Sequence, residues 1–416
     1  MVHQPPAGAR DLLPLEVAQK RWIADRLQQV FHRWGYHQII TSTVEWLDTL
    51  MAGGAVQRST VIQLQDAQEE TLGLRPELTA SIARATATRL AGSATEATLS
   101  LPQRLYYNNA NVFRRPSISQ HGRQLEFYQS GVELLGAGGV LADAEILLLL
   151  TDCLKQLGLQ QWNLVLGEAE LTRSLLSPFP PAVRDKVRSA IAHLDRVTLE
   201  TLSLSPELRE RALFLFDLRG RPADVLQKVS SLDLDSSEQL IVNNLKSLVE
   251  LLNETAPTSV PLILDLSLIQ TFDYYTGIVF EVVSNTEGNQ RVLGQGGRYD
   301  QLLALYHPQG ETYPGIGFCL NMEDLHYLLL SSGQLPRQTP ASDWLVAAQT
   351  PQAEAAAFAY AQKLRDSAHL VRVEMELSGR VPDQIREYAR HRRIHRIAWI
   401  KGDGTPTIET VRMVSG

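Results

Sequence analysis

The spacing of apolar residues predicts helices and strands mixed along the first part of the chain. Apolar residues recur at helical spacing over residues 16–34, and Gly35 follows them, which predicts an amphipathic helix that ends there. An apolar run over 142–157 predicts another helix. Runs rich in β-branched and aromatic residues predict strands at residues 36–44, 105–112, 127–135 and 163–167.

The pattern changes in the middle of the chain. Residues 169–256 carry leucines at helical spacing and few aromatic residues, and prolines interrupt them, which predicts a small helical insertion. The strand pattern then returns. Strands are predicted at 262–266, 278–284 and 291–294, and helices at 300–305 and around 323–330.

A linker rich in serine, glycine and proline precedes the last segment of the chain. Residues 341–416 then alternate strands and helices, which predicts a small α/β domain with a parallel-type sheet. Elsewhere the predicted strands are joined mainly by hairpin-like turns, which favours an antiparallel sheet covered by helices. We therefore predict an α+β fold with a core formed by 1–168 and 257–332 and an insertion at 169–256.

Composition narrows the class of protein. The 416 residues are 44% hydrophobic and 20% charged, which is typical of a globular chain and excludes a disordered one. No apolar stretch is long enough to span a membrane and no secretory signal is visible, so we expect a cytoplasmic protein. Cys153 and Cys319 lie far apart, so we expect no metal site. The formal net charge of −7 argues weakly against nucleic-acid binding.

Polar residues share one face of the predicted strand at 127–135. Phe127, Gln129, Gly131 and Glu133 alternate with the residues of the other face, because side chains of a strand have a period of two. An amide and a carboxylate separated by a glycine form a polar niche that suits an ammonium or an imidazole group. The alternative interpretation is an exposed sheet face with incidental polar residues.

Two glycine-containing segments follow, DYYTG at 273–277 and GQGGRYD at 294–300. Glycines at strand ends let a ligand approach the backbone closely. A tight turn before a helix is the alternative interpretation of 294–300. This segment lacks the lysine of a P-loop and the strand–helix context of a dinucleotide-binding fingerprint, so we expect no cofactor.

Together these segments resemble the class II aminoacyl-tRNA synthetases, specifically the histidyl-tRNA synthetases, over roughly residues 5–330. The ordered set of motifs is more specific than any one of them. The matching segments are residues 8–14 and 75–77, Phe113-Arg114 with Gly122-Arg123 and 127–129 as motif 2, 273–277 and 296–300 as the two histidine-specific motifs, and 314–318 at the start of motif 3. The resemblance implies the class II antiparallel sheet flanked by helices.

The resemblance also implies roles for individual residues. Glu77, Thr79 and Gln129 would hold the amino-acid end of histidine, and Glu133 and Tyr275 would contact its imidazole ring. A carboxylate facing a ring N–H makes a charge-assisted hydrogen bond, which selects imidazole over other rings. The motif 2 arginine contacts the α-phosphate of ATP in a synthetase. The full histidine-binding set that we predict is Glu77, Thr79, Arg114, Gln129, Glu133, Gln270, Tyr274 and Tyr275.

Three positions on the ATP-activating side depart from the synthetase pattern. Asp324 stands where motif 3 has an arginine, and Gln270 replaces an arginine that helps to form the aminoacyl adenylate. Leu125 replaces a basic residue of motif 2. An aspartate repels a triphosphate, and a neutral amide cannot neutralise the charge of a transition state. We therefore expect no catalytic residues and a chain that binds histidine without activating it.

This combination is similar to the regulatory subunits of ATP phosphoribosyltransferase, a synthetase-like family that acts with a short catalytic subunit in histidine biosynthesis. The similarity implies a chain that is required for phosphoribosyl transfer, allows feedback by histidine as effector, and forms a dimer. An active histidyl-tRNA synthetase is one alternative. An RNA-binding sensor on the same fold is another, and its candidate contact is the basic stretch Arg386, Arg390, His391, Arg392, Arg393, His395 and Arg396. A solvated helix face is the plainer interpretation of that stretch, so we consider tRNA an unlikely partner.

Overall fold

The chain forms two compact units, Met1–Pro336 and Arg337–Gly416. A computed structural model describes residues 3–54, 56–93, 102–115, 124–255, 260–268, 274–286 and 289–412. The strands are β1 (His37–Gln38), β2 (Val44–Trp46), β3 (Ile62–Gln65), β4 (Thr71–Leu74), β5 (Gln103–Phe113), β6 (Glu126–Leu135), β7 (Trp162–Glu168), β8 (Arg219–Gly220), β9 (Leu262–Asp265), β10 (Ile278–Thr286), β11 (Asn289–Arg298), β12 (Gly315–Asn321), β13 (Trp344–Ala348), β14 (Val373–Met375), β15 (Arg396–Ile400) and β16 (Pro406–Thr410).

The α-helices of the described ranges complete the element order. They are α1 (Pro14–Arg33), α2 (Leu47–Met51), α3 (Thr79–Ser93), α4 (Gly139–Gln156), α5 (Ala169–Leu176), α6 (Pro181–Ala192), α7 (Arg196–Thr201), α8 (Pro206–Phe216), α9 (Pro222–Ser230), α10 (Ser236–Thr255), α11 (Met322–Ser332), α12 (Glu354–Arg365) and α13 (Pro382–His391). Short 3₁₀ turns occur at Arg58–Thr60, Leu303–Leu305 and Pro351–Ala353.

A large, mainly antiparallel sheet organises the first unit. Within the described residues its strand order is β1-β5-β6-β12-β11-β10-β7-β9-β8, and only the pairs β1/β5 and β7/β9 are parallel. A separate small sheet has the order β2-β4-β3. The predicted α+β fold with an antiparallel sheet flanked by helices is confirmed.

Helices α1 and α4 pack together over this sheet because both carry a continuous apolar stripe. Ile23, Leu27 and Val30 of α1 are fully buried with Ile146 and Leu150 of α4. Proline occupies the first turn of α1, where its missing N–H costs no helical hydrogen bond. The helix predicted for 16–34 therefore exists, and it begins slightly earlier.

The predicted insertion contains helices α5 to α10 and the short strand β8. Pro181, Pro206 and Pro222 do not interrupt helices but begin them, which is a favourable position for proline. Apolar residues of these helices share one contiguous core with the large sheet, and β8 pairs with β9 of that sheet. The division of the chain into a core and an insertion stays a prediction.

Three predicted elements of the first unit are corrected. The strand predicted at 36–44 is interrupted between β1 and β2, and Ile40 is 86% exposed there. The carbonyl groups of Thr41 and Ser42 accept hydrogen bonds from the buried Arg75 guanidinium instead of a neighbouring strand. The strand predicted at 291–294 is longer, and the three glycines of 294–300 all lie inside it rather than in a turn. The helix predicted at 300–305 is only the 3₁₀ turn Leu303–Leu305.

The second unit is a four-stranded sheet, in the order β14-β13-β15-β16, with one helix on each face. Strand β13 alternates its side chains, so Leu345 packs with α13 and Val346 packs with α12. The strands β14, β13 and β15 are parallel as predicted, but the antiparallel edge strand β16 was not predicted. Its residues are mostly exposed, so an apolar pattern was too weak to indicate it.

Candidate functional site

A narrow cleft opens on the large sheet where β6, β12 and β11 lie side by side. Helix α3 begins at one wall, and the end of β5 supplies another. The described residues that line it are Glu77, Leu78, Thr79, Tyr107, Arg114, Gln129, Tyr274, Tyr275, Gln295, Gly296, Tyr299, Gly317, Phe318 and Cys319. Most of the predicted histidine-binding residues therefore come together from distant parts of the chain.

The floor of the cleft depends on the register of β6 and β12. Glu133 lies opposite Gly317, and Gly131 lies opposite Cys319. A Cβ atom at Gly317 would overlap a carboxylate oxygen of Glu133, and a Cβ at Gly131 would overlap the carbonyl of Phe318. Glycine at these positions leaves space for the polar side chains that cross the sheet.

Glu133 is the most deeply buried acid of the site, with 1% of its surface exposed. One of its carboxylate oxygens accepts a hydrogen bond from the Thr79 hydroxyl at 2.7 Å, and the other accepts one from the Tyr299 hydroxyl. Burial raises the pKa of Glu133 to about 8, although both hydroxyl groups act in the opposite direction. A pKa in this range favours the protonated carboxyl group at pH 7.

Glu77 caps the first turn of α3. Its carboxylate accepts hydrogen bonds from the backbone N–H groups of Thr79 at 2.5 Å and Ala80 at 2.9 Å. Such a cap satisfies donors that a helix leaves unpaired at its start. Burial nevertheless raises the pKa of Glu77 above its usual value, and the Arg114 charge partly offsets that effect. Glu77 thus serves the fold as well as the cleft.

Gln129 and the tyrosines complete the polar lining. Gln129 is 5% exposed, and its amide Nε2 lies 3.6 Å from the Cys319 sulfur, to which it donates. Its amide oxygen has no hydrogen-bond partner among the described residues. The rings of Tyr274 and Tyr275 lie 4.8 Å apart. Burial raises the pKa of both hydroxyl groups, so they remain donors at neutral pH. A buried unpaired acceptor beside hydroxyl donors suits a small polar ligand.

The predicted histidine-binding set differs from the described lining of the cleft in two ways. Gln270 lies outside the described residues, as do the rest of the segment 269–273 and the motif 2 loop at 116–123. Tyr107 and Tyr299 line the cleft but were not predicted to do so. Tyr299 belonged to a quoted motif, whereas nothing in the local pattern around Tyr107 distinguishes it from a core residue. Histidine binding by this set stays a prediction.

The two acids at the start of α11 are neutralised by cations of the same chain. Asp324, at the motif 3 position, pairs with Arg291 of β11 at 2.9 Å, and the Arg291 guanidinium lies 3.9 Å from the centre of the Tyr327 ring. Glu323 pairs with the buried Lys20 of α1 and accepts the Tyr128 backbone N–H at 3.1 Å. The Arg291 charge is therefore already balanced by a carboxylate.

The basic stretch of the second unit is largely engaged within that unit. Arg386 pairs with Asp383 at 2.9 Å and with Glu409 at 2.7 Å. Arg392 lies 3.3 Å from Glu374. These partners cancel part of the positive charge that RNA binding would use.

Two features are absent from the described parts of the chain. No group of three or more His, Cys, Asp or Glu residues is placed to hold a metal ion there. No helix in the same ranges is long and apolar enough to cross a membrane.

Comparison with known proteins agrees with this geometry. The model of the histidyl-tRNA synthetase family matches residues 8–325. A solved histidyl-tRNA synthetase from Nostoc sp. PCC 7120 has a TM-score of 0.76 over 98% of this chain and 97% of its own, and its 19% identity supports the fold alone. The class is thus that of the histidyl-tRNA synthetase-like proteins with a class II fold.

Relatives with higher sequence identity show which family of this class the chain belongs to. The chain is 66% identical over 415 residues to the ATP phosphoribosyltransferase regulatory subunit of Gloeothece citriformis, and 67% identical over 412 residues to that of Nostoc punctiforme. Each alignment covers 99% of this chain and 100% of the relative. A Bacillus halodurans C structure described as an ATP phosphoribosyltransferase regulatory subunit/histidyl-tRNA synthetase has a TM-score of 0.79 and 27% identity, covering 97% of this chain and 99% of its own. The chain belongs to the family of ATP phosphoribosyltransferase regulatory subunits.

Proposed function

We propose that this chain is a non-catalytic subunit that the short catalytic subunit of ATP phosphoribosyltransferase requires for activity. It serves the first step of histidine biosynthesis and makes that step sensitive to histidine. The names of its high-identity relatives support the assembly with a catalytic partner. Histidine acts as the effector and binds in the cleft on the large sheet.

One contrast between the cleft and the motif 3 position carries this proposal. The acid, amide and tyrosine side chains that suit histidine converge in the cleft. At the motif 3 position, in contrast, an aspartate stands in an ion pair with Arg291. A synthetase needs unbalanced positive charge where the phosphates bind, because that charge stabilises the transition state. The arrangement therefore favours ligand sensing over aminoacylation.

Sensing has an effect only when another protein responds to the occupied cleft. Histidine must have different affinities for the active and inactive assemblies, and the coupling between effector and activity is reciprocal. The chain itself forms a dimer in this proposal. The exposed side chains Ile40, Val44 and Trp46, which follow α1, support an apolar contact between two copies.

The decisive experiment mixes the purified chain with the short catalytic subunit. Phosphoribosyl transfer from phosphoribosyl pyrophosphate to ATP is measured with and without histidine, and complex formation is followed by size-exclusion chromatography. We expect stimulation by the chain and inhibition by histidine. Absence of both the complex and the stimulation would refute the assignment, and robust histidine-dependent ATP–pyrophosphate exchange by the chain alone would favour a synthetase.

A further inference from the structure

The backbone of the cleft residue Tyr275 is held by α5, the helix that directly follows β7. The Ala169 backbone N–H donates to the Gly277 carbonyl at 2.9 Å, and the Arg173 guanidinium donates to the Tyr275 carbonyl at 2.9 Å. Residues four apart lie on the same face of a helix. One face of α5 therefore holds both ends of the segment from Tyr275 to Gly277.

The start of α5 is itself fixed to the large sheet. Glu168, the last residue of β7, lies opposite Ile278 of β10. Its carboxylate also caps α5, because it accepts a hydrogen bond from the Leu171 backbone N–H. The Arg173 side chain therefore projects from a helical turn whose position is set by the sheet.

Tyr275 is packed so closely that its ring follows its backbone. The residue is 6% exposed, and a Cβ atom at Gly297 would lie 2.7 Å from two carbons of the Tyr275 ring. The next backbone N–H, that of Thr276, donates to the Arg298 carbonyl of β11 at 2.8 Å. Close-packed groups transmit small shifts to their neighbours. The contact at the Tyr275 carbonyl thus also sets where the Tyr275 hydroxyl lies in the cleft.

Helix α5 also contacts two helices of the predicted insertion. The Ser174 hydroxyl donates to the Glu238 carboxylate of α10, and the Leu175 carbonyl accepts a hydrogen bond from the Arg211 guanidinium of α8 at 3.0 Å. Both contacts are made by residues that directly follow Arg173. The Arg173 side chain therefore connects a residue of the cleft with helices of the insertion.

We propose that Arg173 is a positioning residue for the cleft, which rests on the proposed binding of histidine there. Arg173 is not among the described residues that line the cleft. It fixes the Tyr275 carbonyl and thereby the hydroxyl that meets the ligand, and it couples occupancy of the cleft to α5. Such coupling is reciprocal, so a ligand that fixes Tyr275 also strengthens the contact with Arg173 and stabilises α5.

A double-mutant cycle, measured by calorimetric titration with histidine, tests this role. Arg173→Met removes the donor and keeps the aliphatic stem, and it should weaken histidine binding about 3- to 10-fold, the range for one hydrogen bond. Tyr275→Phe removes the hydroxyl group that Arg173 positions. In the Tyr275→Phe protein, adding Arg173→Met should change the affinity by less than about twofold, because the positioned hydroxyl is already absent.

Two further variants serve as controls. Arg211→Met is matched to Arg173→Met, because Arg211 also donates to a backbone carbonyl of the same region but is not among the described lining residues. It should leave the affinity for histidine within about twofold of wild type. Arg173→Lys keeps a charged donor on a long stem, so it should recover part of the affinity that Arg173→Met loses. Absence of any recovery would count against the role of the donor.

Hydrogen exchange gives a second readout, which a purely structural role of Arg173 would not move. Histidine should slow exchange of the α5 amides in wild-type protein but not in the Arg173→Met protein. An equal loss of affinity in both backgrounds of the cycle, or α5 exchange that does not respond to histidine, would overturn the positioning role while the histidine site stands. A wild-type protein that binds no histidine would overturn the proposed site and this role together.

Discussion

Replacing Glu133 by glutamine should change how the stability of the protein depends on pH. Glutamine has nearly the shape of a protonated glutamate, and it can accept from one of the two hydroxyl groups that Glu133 contacts while donating to the other. It cannot ionise. The variant therefore removes one titration and leaves the packing of the sheet nearly intact.

The sign of this pH dependence follows from the pKa values of Glu133 in the folded and the unfolded chain. Its pKa is about 8 in the folded chain against an ordinary 4.5. Between these values the folded state keeps a proton that the unfolded state has lost, so the stabilisation is fully present below pH 4.5 and is lost as the pH rises to 8. One pKa unit corresponds to about 1.36 kcal/mol, so the full difference is at most about 5 kcal/mol.

The assay is urea denaturation of both proteins at several pH values from 5 to 8, at one protein concentration. The stability of Glu133→Gln relative to wild type should rise with pH by at most about 4 kcal/mol across this range, because the range spans three pH units. Glu168 is also buried and has a pKa raised to about 7, but its contribution is present in both proteins and cancels.

A Glu168→Gln protein provides the comparison. Its stability relative to wild type should stop rising near pH 7 rather than pH 8, because the pKa of Glu168 is about 7. The reasoning about Glu133 would be wrong if the difference between wild type and Glu133→Gln stayed constant from pH 5 to 8. That result would mean that the buried carboxyl group is ionised in the folded protein throughout this range.

Further predictions concern the remaining parts of the site. Glu77→Ala should weaken histidine binding by about 1–3 kcal/mol in calorimetry and also lower the melting temperature, because it removes a helix cap as well as a ligand contact. Gly317→Ala should destabilise the protein by about 1–3 kcal/mol or more in thermal denaturation, since the added methyl group overlaps Glu133; an unchanged melting temperature would contradict this register. Asp324→Arg should not restore ATP–pyrophosphate exchange, because the new cation faces Arg291; measurable exchange would show that this one position disables a synthetase. Trp46→Asp should shift the chain from dimer to monomer in size-exclusion chromatography, whereas an unchanged elution volume would place the dimer contact elsewhere.

The amino-acid sequence by itself determined the elements whose pattern is strong and local. The apolar stripe of α1 is visible in the chain, because consecutive residues show the period of a helix. The order of the motifs also indicated the family, and Asp324 marked a departure from it. Exposed elements such as β16 have no such pattern, so they could not be predicted.

Tertiary structure decided what each side chain contacts. The strand predicted at 36–44 is interrupted because Arg75, more than 30 residues away, binds its carbonyl groups. The pKa of Glu133 is raised to about 8 because the folded chain buries its carboxyl group, although Thr79 and Tyr299 donate hydrogen bonds to it. Asp324 faces a cation because β11 runs beside the start of α11. The burial and the partners of these side chains depend on residues that are distant in the chain, so local sequence patterns cannot predict them.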